Sequence, residues 1–413
     1  AHCCPEWKVL DDVHGSDSNG FCDDLSESKL EGARAMRFQP SVFGQLMKPV
    51  SRRVFANAVD GRRKWGLTDW AHLVTMVMAH LAGARGLREL LRLIEHHQPG
   101  LHHLGLGQVR RSTLSDANTQ RPTAPFEAVA MDLSARVAAL APNLGREALR
   151  LIDATRIHAG QAVRHWAVDG AVKLHLVLDP IAGRPTCFAV TSSRTNDITP
   201  AKRFPIEAGV RYVFDKGYYC FAFWAELADA GCTFVTRLKV NTPVQVTRTR
   251  RLPKNAPHIL RDEIGTLPQR MANSRKNPFR KPVRLVTVKL EHGKELTLLT
   301  NDLKASAVEI AALYKSRWQI ELFFKWVKQN LKLHHFFGES RNAVTLQIIA
   351  ALIAHLLVRL AQLHGLTSLA AQAAFRLISA TLFQRRPMSE LLHPPQPEKQ
   401  QIEQQLSFSL AHA

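Results

Sequence analysis

The chain has 413 residues, 46% of them hydrophobic, with 55 Lys and Arg against 35 Asp and Glu and a net charge of +20. That length supports two or three domains with a sizeable core, and the charge suits a polyanion: nucleic acid first, an anionic membrane surface second, with a basic surface kept only for solubility as the plain alternative. Six cysteines, at 3, 4, 22, 187, 220 and 232, form no C-x-x-C pair, which excludes a zinc ribbon or a disulfide scaffold and leaves reduced thiols in a cytosolic protein.

Residues 1–35 stand apart, with eight acidic residues against three basic ones and half of the cysteines. Weak apolar periodicity predicts disorder there, and no signal-peptide pattern is read. Met36 opens Met-Arg-Phe-Gln-Pro, so the functional protein is expected to begin near it, after an added or upstream-translated leader. Residues 36–145 read as all-helical, with periodic apolar segments over 70–84 and 87–97. A short helix comes next over 110–118, with Ser112 or Thr113 as its N-cap, and another lies within 121–140 behind Pro122 and Pro125. Short helices with basic edges suit a DNA-binding module or a plain scaffold equally. His96, His97, His102 and His103 lie in a Pro-Gly setting without Cys partners and read as solvated side chains rather than metal ligands.

From 148 the pattern changes to strands, at 148–157, 171–178 and 186–192, joined by turn sequences at 168–170 and 179–183. A helix over about 200–208, a short strand at 211–214, a helix over about 219–230 and a strand at 233–237 complete a mixed α/β sheet whose order suits a ribonuclease-H-like core. Residues 239–289 interrupt it with thirteen Lys and Arg, only two acidic residues, and prolines at 253, 257, 268, 278 and 282. Those prolines rule out long helices, and strands resume at 283–288 and 295–299. This reads as a basic, β-rich insertion over about 239–300, placed to lie against phosphates or to remain a solvated basic region. Beyond 338 the chain reads as helical to about 383, then as a polar tail over 384–413. The most apolar run, 343–363, is interrupted by Thr345, Gln347, His355, Arg359 and Gln362 and fits a buried helix better than a membrane span. The domains are thus a leader (1–35), a helical N-terminal domain (36–145), an α/β domain (146–340) and a helical C-terminal region (341–413).

The segment Tyr314-Lys-Ser-Arg317-Trp318-Gln-Ile-Glu321-Leu-Phe-Phe-Lys-Trp-Val-Lys328 carries the most chemistry. It holds no Gly or Pro and many strong helix formers, so it predicts a helix. At about 100° per residue, Tyr314, Arg317, Glu321 and Lys328 fall within roughly 60° of one another. A carboxylate flanked by cations suits a site that takes divalent metal and phosphate together; a solvated face with an Arg317/Glu321 pair at i,i+4 fits the same periodicity. Phosphoryl transfer on DNA needs an in-line nucleophile and neutralised charge, which two divalent metals held by convergent carboxylates supply. Asp153 lies among apolar neighbours in a strand, where a carboxylate is costly unless paired or metal-bound. Asp215 ends an apolar strand before Lys216-Gly217-Tyr218, where Gly217 permits a tight turn. A strand-end ion pair and a helix N-cap are their ordinary alternatives. Asp197 is a plausible fourth acidic group near the site.

At these residues the chain resembles the bacterial insertion-sequence transposases of the DDE type with a Tyr-Arg-Glu-Lys signature, the insertion-sequence-four family. Tyr314-x2-Arg317-x3-Glu321-x6-Lys328 matches the signature, with Trp318 after Arg317; Asp153-Ala-Thr155 resembles the first acidic motif, and Asp215-Lys-Gly217-Tyr218 with Phe234-Val-Thr-Arg237-Leu-Lys239 the second. Ser112-Thr-Leu-Ser-Asp-Ala-Asn118 is similar to the segment joining the family's N-terminal domain to its core, and the likeness runs from about 36 to 363. The resemblance implies a ribonuclease-H-like catalytic domain with a β-rich insertion. It implies Mg2+ or Mn2+, two ions, on Asp153, Asp215 and Glu321. Tyr314, Arg317, Lys328, Arg237 and Lys239 then contact DNA phosphates, and Trp318 either stacks on a base or fills the core. It further implies cleavage at the ends of the protein's own element and joining to target double-stranded DNA, a dimer in the synaptic complex, and a bacterial cytoplasmic, nucleoid-associated location without membrane. A ribonuclease-H-like nuclease that does not join, and a non-catalytic DNA-binding derivative, remain the alternatives. Some members steady a flipped base on a Trp of the insertion; residues 240–300 here contain no Trp, and Phe279 is their only aromatic.

Overall fold

Alternation along the strands organises the molecule. In the computed structural model, which describes residues 39–61, 66–142, 148–167, 169–270, 276–291, 293–333 and 335–392, nine strands form one sheet in the order β3-β2-β1-β4-β5-β9-β8-β7-β6. The strands are β1 (Leu149–His158), β2 (Ala171–Asp179), β3 (Arg184–Ser192), β4 (Arg211–Phe214), β5 (Thr233–Arg237), β6 (Gln245–Thr249), β7 (Ile259–Thr266), β8 (Val283–Lys289) and β9 (Glu295–Thr300). β1 runs antiparallel to β2 and parallel to β4, and β4 runs parallel to β5. The basic insertion does not stand apart. Its strands continue the same sheet, through antiparallel pairing of β9 with β5.

Side chains alternate across a strand, so each strand supplies two faces. Leu151, Val213, Val235 and Leu298 join one core, while Ile152, Phe214, Phe234 and Leu299 join the other. The second core is aromatic. A helix over Phe221–Asp229 lays Phe223, Trp224 and Leu227 onto Phe214 and Phe234, and Phe279 meets Trp224 and Phe234 edge-on. Each such buried ring is worth about 1.5–3 kcal/mol of transfer free energy.

The first core is shared by the two ends of the described chain. Helices α1 (Val42–Met47), α2 (Arg52–Asn57), α3 (Asp69–Leu81), α4 (Leu87–Leu101), α5 (Arg111–Gln120) and α6 (Ala124–Leu140) precede the sheet. After α7 (Ile198–Ala201) and α8 (Phe221–Asp229) come α9 (Ala307–Ser316), α10 (Trp318–Asn330), α11 (Arg341–Leu363), α12 (Ala371–Thr381) and α13 (Met388–Leu392). α11 packs on α3, α5 and α6, so helices from before and after the sheet form one layer. The first amides of α1, Val42 and Phe43, donate to the carbonyls of Gln384 and Leu382, both at 2.9 Å, which satisfies donors that a helix start otherwise leaves open. α11 is the one helix among the described residues long and apolar enough to cross a membrane; nearly all of its apolar stretch is buried within the protein, as a core helix.

Several expectations change. The helix over 200–208 shrinks to α7, because Phe204 precedes Pro205 and a residue before proline is pushed out of helical backbone. α5 is capped by Arg110 without a side-chain bond, and Ser112 and Thr113 lie inside its first turn. α4 runs on through Pro99 to Leu101, and His97 is half-buried rather than fully solvated, stacking on Phe383 with ring centroids 3.8 Å apart. β6 and β7 add two strands that the sequence pattern did not single out: β6 is exposed along its whole length, so no apolar alternation marks it. The polar tail expected over 384–413 is corrected where it is described: Met388 and Leu392 of α13, four residues apart on one helix face, are buried in the first core. The leader over 1–35 and the remainder of the tail, beyond 392, lie outside the described residues.

Candidate active site

The alternation Leu149-x-Leu151-x-Asp153-x-Thr155-x-Ile157 places two polar groups on an otherwise apolar face of β1. α10 packs against that strand, and the site opens where it does so. Asp153 is mostly buried; its Oδ1 accepts from the Ala154 amide at 2.8 Å, and its Oδ2 lies 3.3 Å from Nη1 of Arg317. Burial pushes its carboxyl up to about 6. The Ala154 amide and Arg317 oppose that shift, and the charges of Glu321 and Asp215 add to it.

Asp215 leaves the end of β4 into a 3-10 turn over Lys216–Tyr218. Parity along β4 sends it to the side of Val213, toward α9, where the Tyr314 hydroxyl donates to its Oδ1 at 3.1 Å. Burial and the Asp215 charge hold the Tyr314 phenol well above its usual value. Glu321 stands in the first turn of α10, its Oε1 2.5 Å from Nη2 of Arg317. Lys328, two turns on, donates to Thr155 Oγ1 at 3.0 Å. All four residues of the stripe therefore reach the same side of the sheet.

The stripe does not lie on one uninterrupted helix. α9 ends at Ser316 and α10 begins at Trp318, and around Arg317 the backbone closes i,i+3 bonds, Arg317 to Tyr314 at 3.1 Å and Ile320 to Arg317 at 3.2 Å. Such local 3-10 closure tightens the chain and re-aims the turns beyond it. Arg317 bridges Asp153 and Glu321 from this break. Burial alone would lower its guanidinium, but the bond to Glu321 and the nearby negative charge hold it above the usual arginine value. Its Nε–H is buried and meets no acceptor among the described residues.

Two clefts flank the carboxylates. One, of about 490 Å3, is lined by Asp153, Thr155 and Glu321 with Lys325 and Lys328. The other, of about 480 Å3, is lined by Asp215, Lys216 and Gly217 with Arg237, Lys239 and Val240. Lys239 Nζ sits 4.6 Å over the Tyr219 ring, a cation–π contact that orients it. Trp318 is 58% exposed, and Leu322 one turn later 50%, so the core role weighed for Trp318 is corrected: the helix turns it outward. Asp197 pairs with Lys173 at 2.8 Å and lies behind Gly217, where an added Cβ would come 3.5 Å from its Oδ2. It thus backs the turn that carries Asp215. Lys325 and Lys173 were not singled out from sequence, and Tyr218 stood there only as part of the second acidic motif, without a role. Tyr218 is 2% exposed, and its hydroxyl meets no partner among the described residues; its place after Asp215-Lys-Gly was the available signal.

Three carboxylates offer hard oxygen donors of the kind divalent cations take, and a cationic group, Arg317, already sits between two of them. The donor set fits a divalent metal. As arranged, no three His, Cys, Asp or Glu side chains among the described residues lie close enough together to hold one.

The family described as "Transposase DDE domain" matches residues 145–357, and a "Domain of unknown function (DUF4372)" matches residues 39–107. A transposase-named protein, y4zB, of Sinorhizobium fredii is 39% identical over 285 residues, 68% of this chain and 80% of its own. A protein of Geobacillus stearothermophilus named as the transposase for insertion sequence element IS5377 is 30% identical over 216 residues, 51% of this chain and 56% of its own. Among solved structures, a cryo-EM synaptic complex of piggyBac transposase with hairpin DNA overlays 87% of this chain and 82% of its own at TM-score 0.40 and 12% identity, too slight a likeness to carry an inference. The match spans both clefts, all three carboxylates and the whole Tyr-Arg-Glu-Lys stripe, and the chain belongs to the DDE transposase family.

Proposed function

We propose that this transposase belongs to the insertion-sequence-four family, binds the ends of its own insertion sequence, cleaves them by metal-dependent hydrolysis and joins them to target DNA by transesterification. The observation that carries this reading is the approach of Asp153, Asp215 and Glu321, from β1, β4 and α10, to one edge between two cationic clefts. The strand order β3-β2-β1-β4-β5, with β1 antiparallel to β2 and parallel to β4, supports a ribonuclease-H-like core. Asp153, Asp215 and Glu321 would hold Mg2+ or Mn2+, two ions, which when bound activate the attacking oxygen and offset charge on the leaving one.

The chain's own groups do the remaining work. Water attacks a phosphodiester at the element end and frees a 3′-hydroxyl. That hydroxyl attacks a target phosphodiester, one P–O bond forming as another breaks, so no ATP is needed. Tyr314 from α9, Arg317 from the break after it and Lys328 from α10, with Arg237 and Lys239 from the end of β5, take the phosphates on either side of the carboxylates. The basic insertion holds the longer run of duplex, and the helices of 36–145 hold the element end, with a dimer pairing two ends at the nucleoid. Phe279 is 2% exposed and packed on Trp224 and Phe234, so it has no face to offer a base. Trp318, exposed beside the carboxylates, does.

Purified protein incubated with Mg2+, a duplex carrying a candidate end and a target plasmid should give joined products. Asp215→Ala should lower both cleavage and joining by about 1,000-fold or more while DNA binding persists. Cleavage without joining would favour a nuclease, and full strand transfer by Asp215→Ala would remove Asp215 from the site.

A further inference from the structure

We infer that Arg317 is a built-in counter-ion of the carboxylate cluster, occupying the metal-binding position until a DNA phosphate draws it away, so that DNA and metal bind cooperatively. This rests on the proposed reading of Asp153, Asp215 and Glu321 as the metal ligands.

Four observations carry it. Arg317 reaches Asp153 Oδ2, on a strand 164 positions before it, at 3.3 Å and Glu321 Oε1, on the helix just after it, at 2.5 Å. Among the described residues it alone bridges two of the three carboxylates, and in this arrangement they do not converge into a metal-sized group. A divalent cation on the cluster therefore has to compete with a guanidinium already there. Next, Arg317 stands at the break between α9 and α10, where the backbone is held only by i,i+3 bonds, so its direction can change without unwinding a helix. Finally, its Nε–H is buried without an acceptor. A guanidinium has five donors arranged for forked oxygen groups, and one wasted in a buried place makes the bridging pose incomplete. A phosphate in the cleft lined by its partners Asp153 and Glu321 supplies the missing acceptors. Lys325 and Lys328 on one side, and Arg237 and Lys239 on the other, already make both clefts attractive to one.

The consequence is a coupling. When Arg317 turns to phosphate, Asp153 and Glu321 lose their counter-ion and the cluster's negative charge is left for a metal. By linkage, DNA must raise metal affinity by the same factor as metal raises DNA affinity. Free protein would then hold little metal, and the nucleophile would be activated only with DNA in place.

The test is Mn2+ binding to the full chain, measured by titration calorimetry and by the loss of the free-ion paramagnetic resonance signal, which require no turnover. Without DNA, Arg317→Gln should bind Mn2+ about tenfold more tightly than the unmutated protein, since one unit charge within a few ångströms shifts a competing equilibrium by about that much. A duplex of arbitrary sequence at low salt should tighten Mn2+ binding to the unmutated protein and leave Arg317→Gln unchanged. Arg317→Lys, which keeps the charge and is the second variant should Arg317→Gln fold poorly, should fall between them. Equal or weaker Mn2+ binding by Arg317→Gln, or no effect of DNA on the unmutated protein, overturns the counter-ion role. A separate arm isolates the underlying reading: if Asp215→Asn/Glu321→Gln leaves Mn2+ binding intact, the carboxylates are not the ligands and the site assignment itself fails.

Discussion

Of the arginines closed on carboxylates in this molecule, Arg284 and Arg317 are built differently. Arg284, in β8, is fully buried and grips Asp262 of β7 with two bonds of 2.8 Å. It also donates to the carbonyls of Asp302 and Ala305, the approach to α9, and Arg250 adds a bond to the neighbouring Leu303 carbonyl at 2.6 Å. All three guanidinium nitrogens are used. Arg317 is about a fifth exposed, is shared between two carboxylates at unequal distances and wastes its Nε–H. A buried pair whose guanidinium nitrogens are all engaged is a structural fixture; an imperfectly satisfied one, between two carboxylates that line an open cleft, is free to exchange partners. The first arginine belongs to the insertion, and through the 302–305 loop it anchors the helices on which the second one sits.

The contrast can be broken or sharpened in descending order of effect. Arg284→Met should cost about 3–5 kcal/mol in denaturant unfolding, because it leaves the buried Asp262 charge with only the longer 3.7 Å approach of Arg250. Pairing it with Asp262→Leu should recover most of that loss. A single-variant loss under about 1 kcal/mol would erase the distinction drawn between the two arginines.

Asp153→Asn should move stability the other way. Without metal, the buried Asp153 carboxyl favours its protonated form, up to about 6 in the folded chain from 3.8. Its protonated form is stabilising below the unfolded value, and that contribution is lost as pH rises through about 6. The variant should therefore gain about 1–2 kcal/mol at pH 8 in chelator, with the gain fading toward pH 4. A gain that persists at pH 4 would mean the carboxylate charge is not its source. Smallest is Trp318→Ala, which should change stability by less than about 0.5 kcal/mol because the ring is already exposed, while weakening duplex-end binding by about 1–3 kcal/mol in an anisotropy titration. If melting temperature falls and DNA binding does not, Trp318 is a packing residue after all.

Much of the site was legible because its signals are local. Period-two alternation announces β1, β2 and β3, and the short apolar strand ending in Asp215 announces β4 and the turn after it. The spaced Tyr-Arg-Glu-Lys stripe survives a break in its helix, since removing one i,i+4 bond at Arg317 hardly changes which side the neighbours face. The missed features depended on long-range partners. β6 has no apolar rhythm and is held by pairing with β7 alone. Trp318 could stack or fill a core until the packing of α10 decided which of its faces met β1.

The residue types, their order and their spacing determined by themselves that this chain carries three candidate carboxylates, a basic insertion and a Tyr-Arg-Glu-Lys stripe on one side of its helices, because strand and helix periodicities are properties of the backbone. Tertiary structure alone decided that the insertion extends the same sheet and that its Arg284 holds the base of the α9–α10 helices. It also decided that the helices before and after the sheet share one core, and that Arg317 stands between Asp153 and Glu321. Those outcomes depend on which buried polar group finds which partner across more than a hundred residues, and that is settled only when the chain closes on itself.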